Sequence, residues 1–188
     1  RQMKVLDCTL RDGGYYTDWD FDSQIVDAYI KAMNALPIDY LEVGYRNNPS
    51  KEYLGKFGYS PVSVLKHLRE TCTKKLVIML NEKSTNPEGL NSLLEPIVGL
   101  VDMIRIAIDP KNFDRAVVLA KAVKAMGVEI GFNCMYMSKW RTEYEGFLTK
   151  LAVLIDFCDL FCMVDSFGGV TPEDVINIYN EVRANTTV

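Results

Sequence analysis

Six short, almost continuously apolar runs recur along the 188 residues, each followed by a stretch of helical period, and this alternation constrains the fold most. The runs fall near 3–8, 40–44, 76–80, 103–108, 128–134 and 160–164. Runs this apolar are expected of parallel strands covered on both faces. Between them, Ile25, Ala28, Tyr29, Ala32, Met33 and Leu36 share one helical face, with Ser23 placed to cap the start. Phe113, Ala116, Val117, Ala120 and Val123 repeat the pattern, and Gly127 suits the residue that ends that helix. The last helix opens with Thr171-Pro172-Glu173-Asp174: a capping threonine, a proline at the first helical position and two carboxylates at the positive end of the dipole. Its buried stripe is expected at Val175, Ile178, Tyr179 and Val182.

Successive strand starts lie 37, 36, 27, 25 and 32 residues apart. A (β/α)8 barrel averages about 31 residues per unit, and a doubly wound open sheet has similar units. The polar residues separate the two. Asp7, Glu42, Arg105, Asn133 and Asp165 lie within or at the C-terminal ends of five of the six strands. Charge there is costly unless paired or used, and a barrel gathers those strand ends at one mouth. The first strand–helix connection also lacks G-x-G-x-x-G, which argues against a dinucleotide fold. The expected class is therefore α/β, a TIM (β/α)8 barrel with about six βα units present. Residues 1–188 read as one catalytic domain whose C-terminal units are missing, a piece of a longer chain. The open edges of strands one and six would favour self-association into a homo-oligomer.

Net charge is −4, from 21 basic and 25 acidic residues, with no basic run, which excludes a strongly cationic nucleic-acid surface. No apolar run approaches the roughly 18 residues of a membrane span, and the start has no signal-peptide layout. Cys8, Cys72, Cys134, Cys158 and Cys162 form no C-x-x-C pair and read as reduced thiols of a cytoplasmic protein. None has a nearby histidine to make it a nucleophile, and Cys158 and Cys162 resemble core packing.

Two segments concentrate chemistry. Leu6-Asp7-Cys8-Thr9-Leu10-Arg11-Asp12-Gly13-Gly14-Tyr15-Tyr16 follows the first strand. It sets an anion-stabilising guanidinium beside a carboxylate able to hold a metal, before two glycines that permit unusual dihedrals and close ligand approach. Without further information it reads equally as a surface ion pair before a turn. In Met163-Val164-Asp165-Ser166-Phe167-Gly168-Gly169-Val170-Thr171-Pro172, capping explains Thr171 and Pro172 but not Asp165.

Thr9-Leu10-Arg11-Asp12-Gly13, Leu41-Glu42-Val43-Gly44 and Asp165-Ser166-Phe167-Gly168-Gly169-Val170-Thr171-Pro172, in this order and spacing, resemble the HMG-CoA-lyase-like (DRE-TIM metallolyase) superfamily. The aldolase branch similar to 4-hydroxy-2-oxovalerate aldolase fits best. The resemblance implies a divalent metal ion, Mn2+ or Mg2+ with Zn2+ as a further candidate, held by Asp12. It implies that Arg11 stabilises an enolate oxygen, that Glu42 and Asp165 line the catalytic site, and that Ser166 contacts a substrate carboxylate. The family completes its metal site with a His-x-His pair at a seventh strand, which these residues do not include. Where its pyruvate aldolases place a histidine base, this sequence has Tyr15, a weaker base at neutral pH.

Among the remaining candidates, Arg105, Asn133 and Tyr45 are expected to face substrate. His67 reads as a surface or packing histidine on an outer helix. Tyr45-Arg46-Asn47-Asn48 and Tyr136-Met137-Ser138-Lys139-Trp140-Arg141 read either as substrate-facing loops or as ordinary solvated ones. The expected function is a metal-dependent aldolase or lyase that cleaves or forms a C–C bond of a 2-oxo acid through an enolate. Its partner is that small molecule, not nucleic acid or membrane. An acyl-CoA/2-oxo acid condensing synthase, or an inert barrel fragment serving as a binding or assembly module, are the alternatives.

Overall fold

A computed structural model describes residues 3–188. Six parallel strands, β1 (Leu6–Asp7), β2 (Tyr40–Tyr45), β3 (Lys75–Asn81), β4 (Met103–Ile108), β5 (Glu129–Cys134) and β6 (Leu160–Met163), lie side by side in chain order. The helices are α1 (Thr9–Gly13), α2 (Ser23–Ala35), α3 (Lys56–Tyr59), α4 (Val62–Thr71), α5 (Leu90–Leu94), α6 (Phe113–Lys124), α7 (Phe147–Lys150) and α8 (Pro172–Asn185). The strand order is sequential and the curved sheet makes a half-barrel. Its curvature is visible where Glu42 on β2 bonds Arg105 on β4, across the width of β3.

The main core fills the space between the convex side of the sheet and the helices, with Leu41, Ile78, Ile104, Ile106 and Phe132 buried against Leu65, Leu68, Ala116 and Ala120. The concave side is layered. Tyr40, Val77 and Met103 pack with Leu6 and Leu160 at the N-terminal end. Tyr45, Met79 and Ala107 pack with Trp19 near the C-terminal end. Between these apolar layers lie the polar residues Glu42 and Arg105. Among the described residues no helix is long and apolar enough to cross a membrane.

Three local expectations are corrected. The first strand is two residues rather than six. Asp7 accepts from the Thr9 amide (3.0 Å), and the Asp12 amide donates to the Cys8 carbonyl (2.8 Å), so the chain turns into α1 at once. Val5 still pairs across to Asp39 and Tyr40. The cap of α2 is Asp22, which accepts from the amides of Gln24 and Ile25, not Ser23. The same helix buries Val26 and Ile30 with Tyr29 and Met33 half-buried, while Ile25 is 64% exposed. Two apolar stripes overlap on this helix, and docking against its neighbours selects the one carrying Val26 and Ile30. By contrast α6 buries its expected face, Gly127 takes φ +84°, and Thr171 and Asp174 form a reciprocal capping box. On α8 only Ile178 and Val182 of the expected stripe are buried; Val175 and Tyr179 are exposed.

Candidate active site

The site is built from β2, β4, β5 and the short helix after β1. Glu42 is fully buried and accepts from two guanidiniums, Arg11 Nε and Arg105 through one terminal nitrogen, at 2.7 Å each. The second terminal nitrogen of Arg105 donates to Asn133 Oδ1 at 2.5 Å. Arg11 also reaches the rim, where it donates to Asp12 (3.0 Å), whose side chain is 67% exposed. Gly131 makes room for this network: a β-carbon there would collide with Cγ of Arg105.

Glu42 is the one buried carboxylate shared by the two guanidiniums, and Asp12 pairs with Arg11 from the exposed rim. Burial opposes the charge on Arg11 and Arg105, but Glu42 outweighs it and holds both more firmly protonated than a free arginine. Arg105 Nε is buried without a hydrogen-bond partner. Such a cluster is arranged to receive an anion.

Tyr15 and Tyr45 share a hydrogen bond between their hydroxyls (2.8 Å) beside this cluster. Burial and the bond from Tyr15 push the Tyr45 phenol up, so it keeps its proton throughout the neutral range. Trp19 stands edge-on to both rings and donates its indole N–H to the Arg11 carbonyl (2.8 Å). This placement explains Gly14, where any side chain would overlap the indole. Gly13 and Gly14 both have ordinary right-handed helical dihedrals, so neither serves the unusual backbone expected of them.

Arg11, Glu42, Arg105 and Asn133 are thus joined directly, with Asp12, Tyr15 and Tyr45 at the edge. Asp165 and Ser166 have local partners. Asp165 accepts from the amides of Gly169 and Val170 (3.1 Å each), and Ser166 Oγ accepts from the Tyr136 amide (3.0 Å). The Asp165 bonds close the loop after β6 on itself, and the Ser166 bond ties it to the loop after β5, where the Tyr136 and Phe167 rings stack 5.4 Å apart. Asp7, expected at the mouth, instead accepts from the Tyr29 hydroxyl on α2. The half-buried Arg46 is spent on the carbonyls of Leu93, Tyr59 and Ser60, so it holds loops together. His67 lies on α4, half-exposed and bonded to Asp27 (2.8 Å).

Sequence reasoning missed Trp19, whose role depends on a backbone carbonyl eight residues earlier and has no sequence signature. It also grouped Cys162 with Cys158 as core. Cys158 is buried, and burial pushes its thiol up to about 12, whereas Cys162 is half-buried beside the Arg105 guanidinium.

No protein-family model matches the chain. Among solved structures, the N-terminal domain of a candidate aldolase from Bacteroides vulgatus is 72% identical, with a TM-score of 0.96, over 99% of this chain and 62% of that one. The chain therefore spans about three fifths of that relative. The carboxyl transferase domain of Rhizobium etli pyruvate carboxylase matches at 18% identity and a TM-score of 0.76, over 98% of this chain and 34% of that one. The same domain with pyruvate and biocytin matches at 17% and 0.69, over the same shares. The fold of these six strands is thus shared with a domain that binds pyruvate and with a candidate aldolase.

Proposed function

We propose that the protein is a pyruvate-related lyase or transferase, and more finely an aldolase that makes or breaks a C–C bond of a 2-oxo acid through an enolate. The observation that carries this reading is the buried Arg11–Glu42–Arg105 cluster, in which two guanidiniums share one buried carboxylate. The 72% identical relative described as a candidate aldolase supports the class. The pyruvate carboxylase domain solved with pyruvate supports the 2-oxo acid.

On this reading the substrate's anionic end meets the guanidinium edge. When the C–C bond cleaves, charge collects on the former carbonyl oxygen. N–H groups of Arg11 beyond those given to Glu42 and Asp12 stabilise it. Because Asn133 Oδ1 faces Arg105, its amide nitrogen is left as a second donor. These groups are held before reaction by bonds already made, so little reorganisation accompanies charge development. The Tyr15–Tyr45 pair, with Tyr45 held neutral, is arranged to donate a proton to a developing alkoxide or enolate. This differs from Tyr15 acting as a base in place of histidine.

Among the described residues no group of three or more His, Cys, Asp or Glu side chains is placed to hold a metal ion. Asp12 is a single candidate ligand already bonded to Arg11. These residues alone do not make the site.

The test is exchange of pyruvate C3 protons with D2O, followed by NMR, alongside binding of oxamate. Exchange that is lost in Arg11→Ala supports the enolate reading. Oxamate binding without exchange under any metal supplement would leave a binding module instead, and neither binding nor exchange would refute the 2-oxo acid.

A further inference from the structure

Trp19 stands in a backbone conformation that a bulky side chain rarely takes. Asp18 and Trp19 are consecutive non-glycine residues in the left-handed region, at φ 51° and 57°. That region crowds the β-carbon against a carbonyl oxygen, so it persists only where the surroundings over-determine it, and such residues cluster at functional sites. Backbone bonds and two glycines do so here. The Trp19 amide donates to the Gly14 carbonyl (3.0 Å), the Gly55 amide to the Asp18 carbonyl (2.6 Å) and the Phe57 amide to the Trp19 carbonyl (3.2 Å). A β-carbon at Gly14 would lie 2.0 Å from the indole, and one at Gly55 would lie 2.3 Å from the Trp19 carbonyl oxygen.

What this arrangement places is the indole. Its N–H donates to the Arg11 carbonyl (2.8 Å), and its ring meets those of Tyr15 and Tyr45 edge-on, with centroids 4.7 and 5.5 Å away. Arg11 belongs to α1, which is five residues long. A helix so short does not hold its own geometry in water, so its aim depends on ties from outside. Asp7 ties its first residue, accepting from the Thr9 amide and hydroxyl (3.0 and 3.1 Å). Glu42 holds the guanidinium end of Arg11 (2.7 Å), and the indole holds the main-chain end. The same ring backs the two tyrosines whose hydroxyls share a 2.8 Å bond.

We propose that Trp19 is a positioning residue: it sets the Arg11 guanidinium and the Tyr15–Tyr45 hydroxyl pair relative to one another, and so acts on the rate of enolate formation rather than on capture of the 2-oxo acid. The consequence for rate rests on the enolate reading; the positioning itself does not. The indole N–H is spent on the Arg11 carbonyl and takes no part in proton transfer. Without that bond the main chain carrying Arg11 loses a fixed point, and the outer N–H groups of Arg11 lose their aim at the developing oxyanion. A misplacement of about 1 Å can cost about 10²-fold in rate. Attraction between the guanidinium and a carboxylate falls only as the inverse of distance, so rate suffers before affinity.

Trp19→Phe keeps an aromatic ring beside the tyrosines and removes the N–H. Exchange of pyruvate C3 protons at saturating pyruvate is expected to fall at least tenfold, with oxamate affinity and the half-saturating pyruvate concentration within threefold of native. Gly14→Ala keeps the indole but drives a methyl group into it; Gly14 has ordinary helical dihedrals (φ −59°, ψ −24°), so the backbone itself accepts alanine. This variant is expected to give the same split between rate and affinity, and it keeps the test open if Trp19→Phe fails to fold. An unchanged rate, or a loss of affinity as large as the loss of rate, would overturn the assignment. The Arg11 Nε–H resonance of 15N-labelled protein gives a readout independent of activity. It is expected to shift in both variants and to exchange faster with water, and an unmoved resonance would overturn the positioning of Arg11. Native protein that neither binds oxamate nor exchanges pyruvate protons would overturn the 2-oxo acid reading, while the Arg11 resonance would still decide whether Trp19 positions Arg11.

Discussion

Replacing Glu42 with glutamine removes one negative charge and almost no volume, so its effect isolates the electrostatics of the buried cluster. Glu42 is inaccessible to solvent and bonds both Arg11 and Arg105 at 2.7 Å. Glutamine keeps one acceptor oxygen but turns an NH2 group toward the other guanidinium. Two buried cations then face each other with only the exposed Asp12, bonded to Arg11, as a counter-charge. Breaking a buried pair in this way typically costs about 3–5 kcal/mol, a large part of the roughly 5–15 kcal/mol that holds a domain folded. In a chain of this length that corresponds to a melting point lower by about 6–20 °C. Calorimetry or thermal circular dichroism reads the shift directly. A double-mutant cycle with Arg105→Gln separates the cluster from nonspecific damage: the second substitution removes one stranded cation, so the pair should be less destabilising than the sum by about 0.5–3 kcal/mol. Added oxamate should restore more stability to Glu42→Gln than to the native protein, because the variant has the greater excess of positive charge. A loss below about 1 kcal/mol together with an additive cycle would refute the reasoning, since it would mean that Glu42 is not the shared counter-ion.

Arg11→Ala should lower pyruvate C3 proton exchange by about 10²–10³-fold, the usual loss for one preorganised oxyanion donor, and an unchanged rate would remove Arg11 from the chemistry. Gly131→Ala should cost about 1–3 kcal/mol by overpacking against Arg105 and weaken oxamate binding in parallel; unaltered oxamate affinity would show that Arg105 is not part of the binding surface. Stability should fall as the solution is made alkaline. Cys8, Cys134 and Cys158 bind their protons more tightly folded than unfolded, as do Tyr29 and Tyr45. The unfolded chain therefore holds fewer protons once pH passes the ordinary thiol range near 8.5, and the decline steepens above about 10 as unfolded tyrosines ionise. Chemical denaturation between pH 8 and 11 checks this; a flat profile contradicts it, and Tyr45→Phe should shallow the upper limb.

Much of the fold was legible because strand and helix periods are local properties of the chain. Strands β2 to β6 begin within a residue of their expected places, and α6 and the capping box of α8 are set by neighbours three or four residues apart. Strand β1 shrank because Asp7 and Cys8 satisfy the backbone of the following turn, a competition decided by individual hydrogen bonds. The face of α2 could not be read because two apolar stripes overlap, and only docking selects between them.

Polar residues at strand ends were enough to mark Glu42, Arg105 and Asn133, since charge in an apolar strand demands a partner. Which partner it has is a matter of distance across the sheet. Curvature brings Glu42 to both Arg11 and Arg105, separated from it by 31 and 63 residues, and makes one buried carboxylate serve two cations. The same geometry turns Asp7 toward Tyr29, gives Gly14 to Trp19, and sets Cys162 beside Arg105 while Cys158 goes into the core. The sequence by itself determined the parallel α/β layering and the residue types at the strand ends, because hydrophobic period and helix capping act over a few residues. Only the tertiary structure decided which charges meet, since that depends on curvature and side-chain reach across strands that the chain visits tens of residues apart.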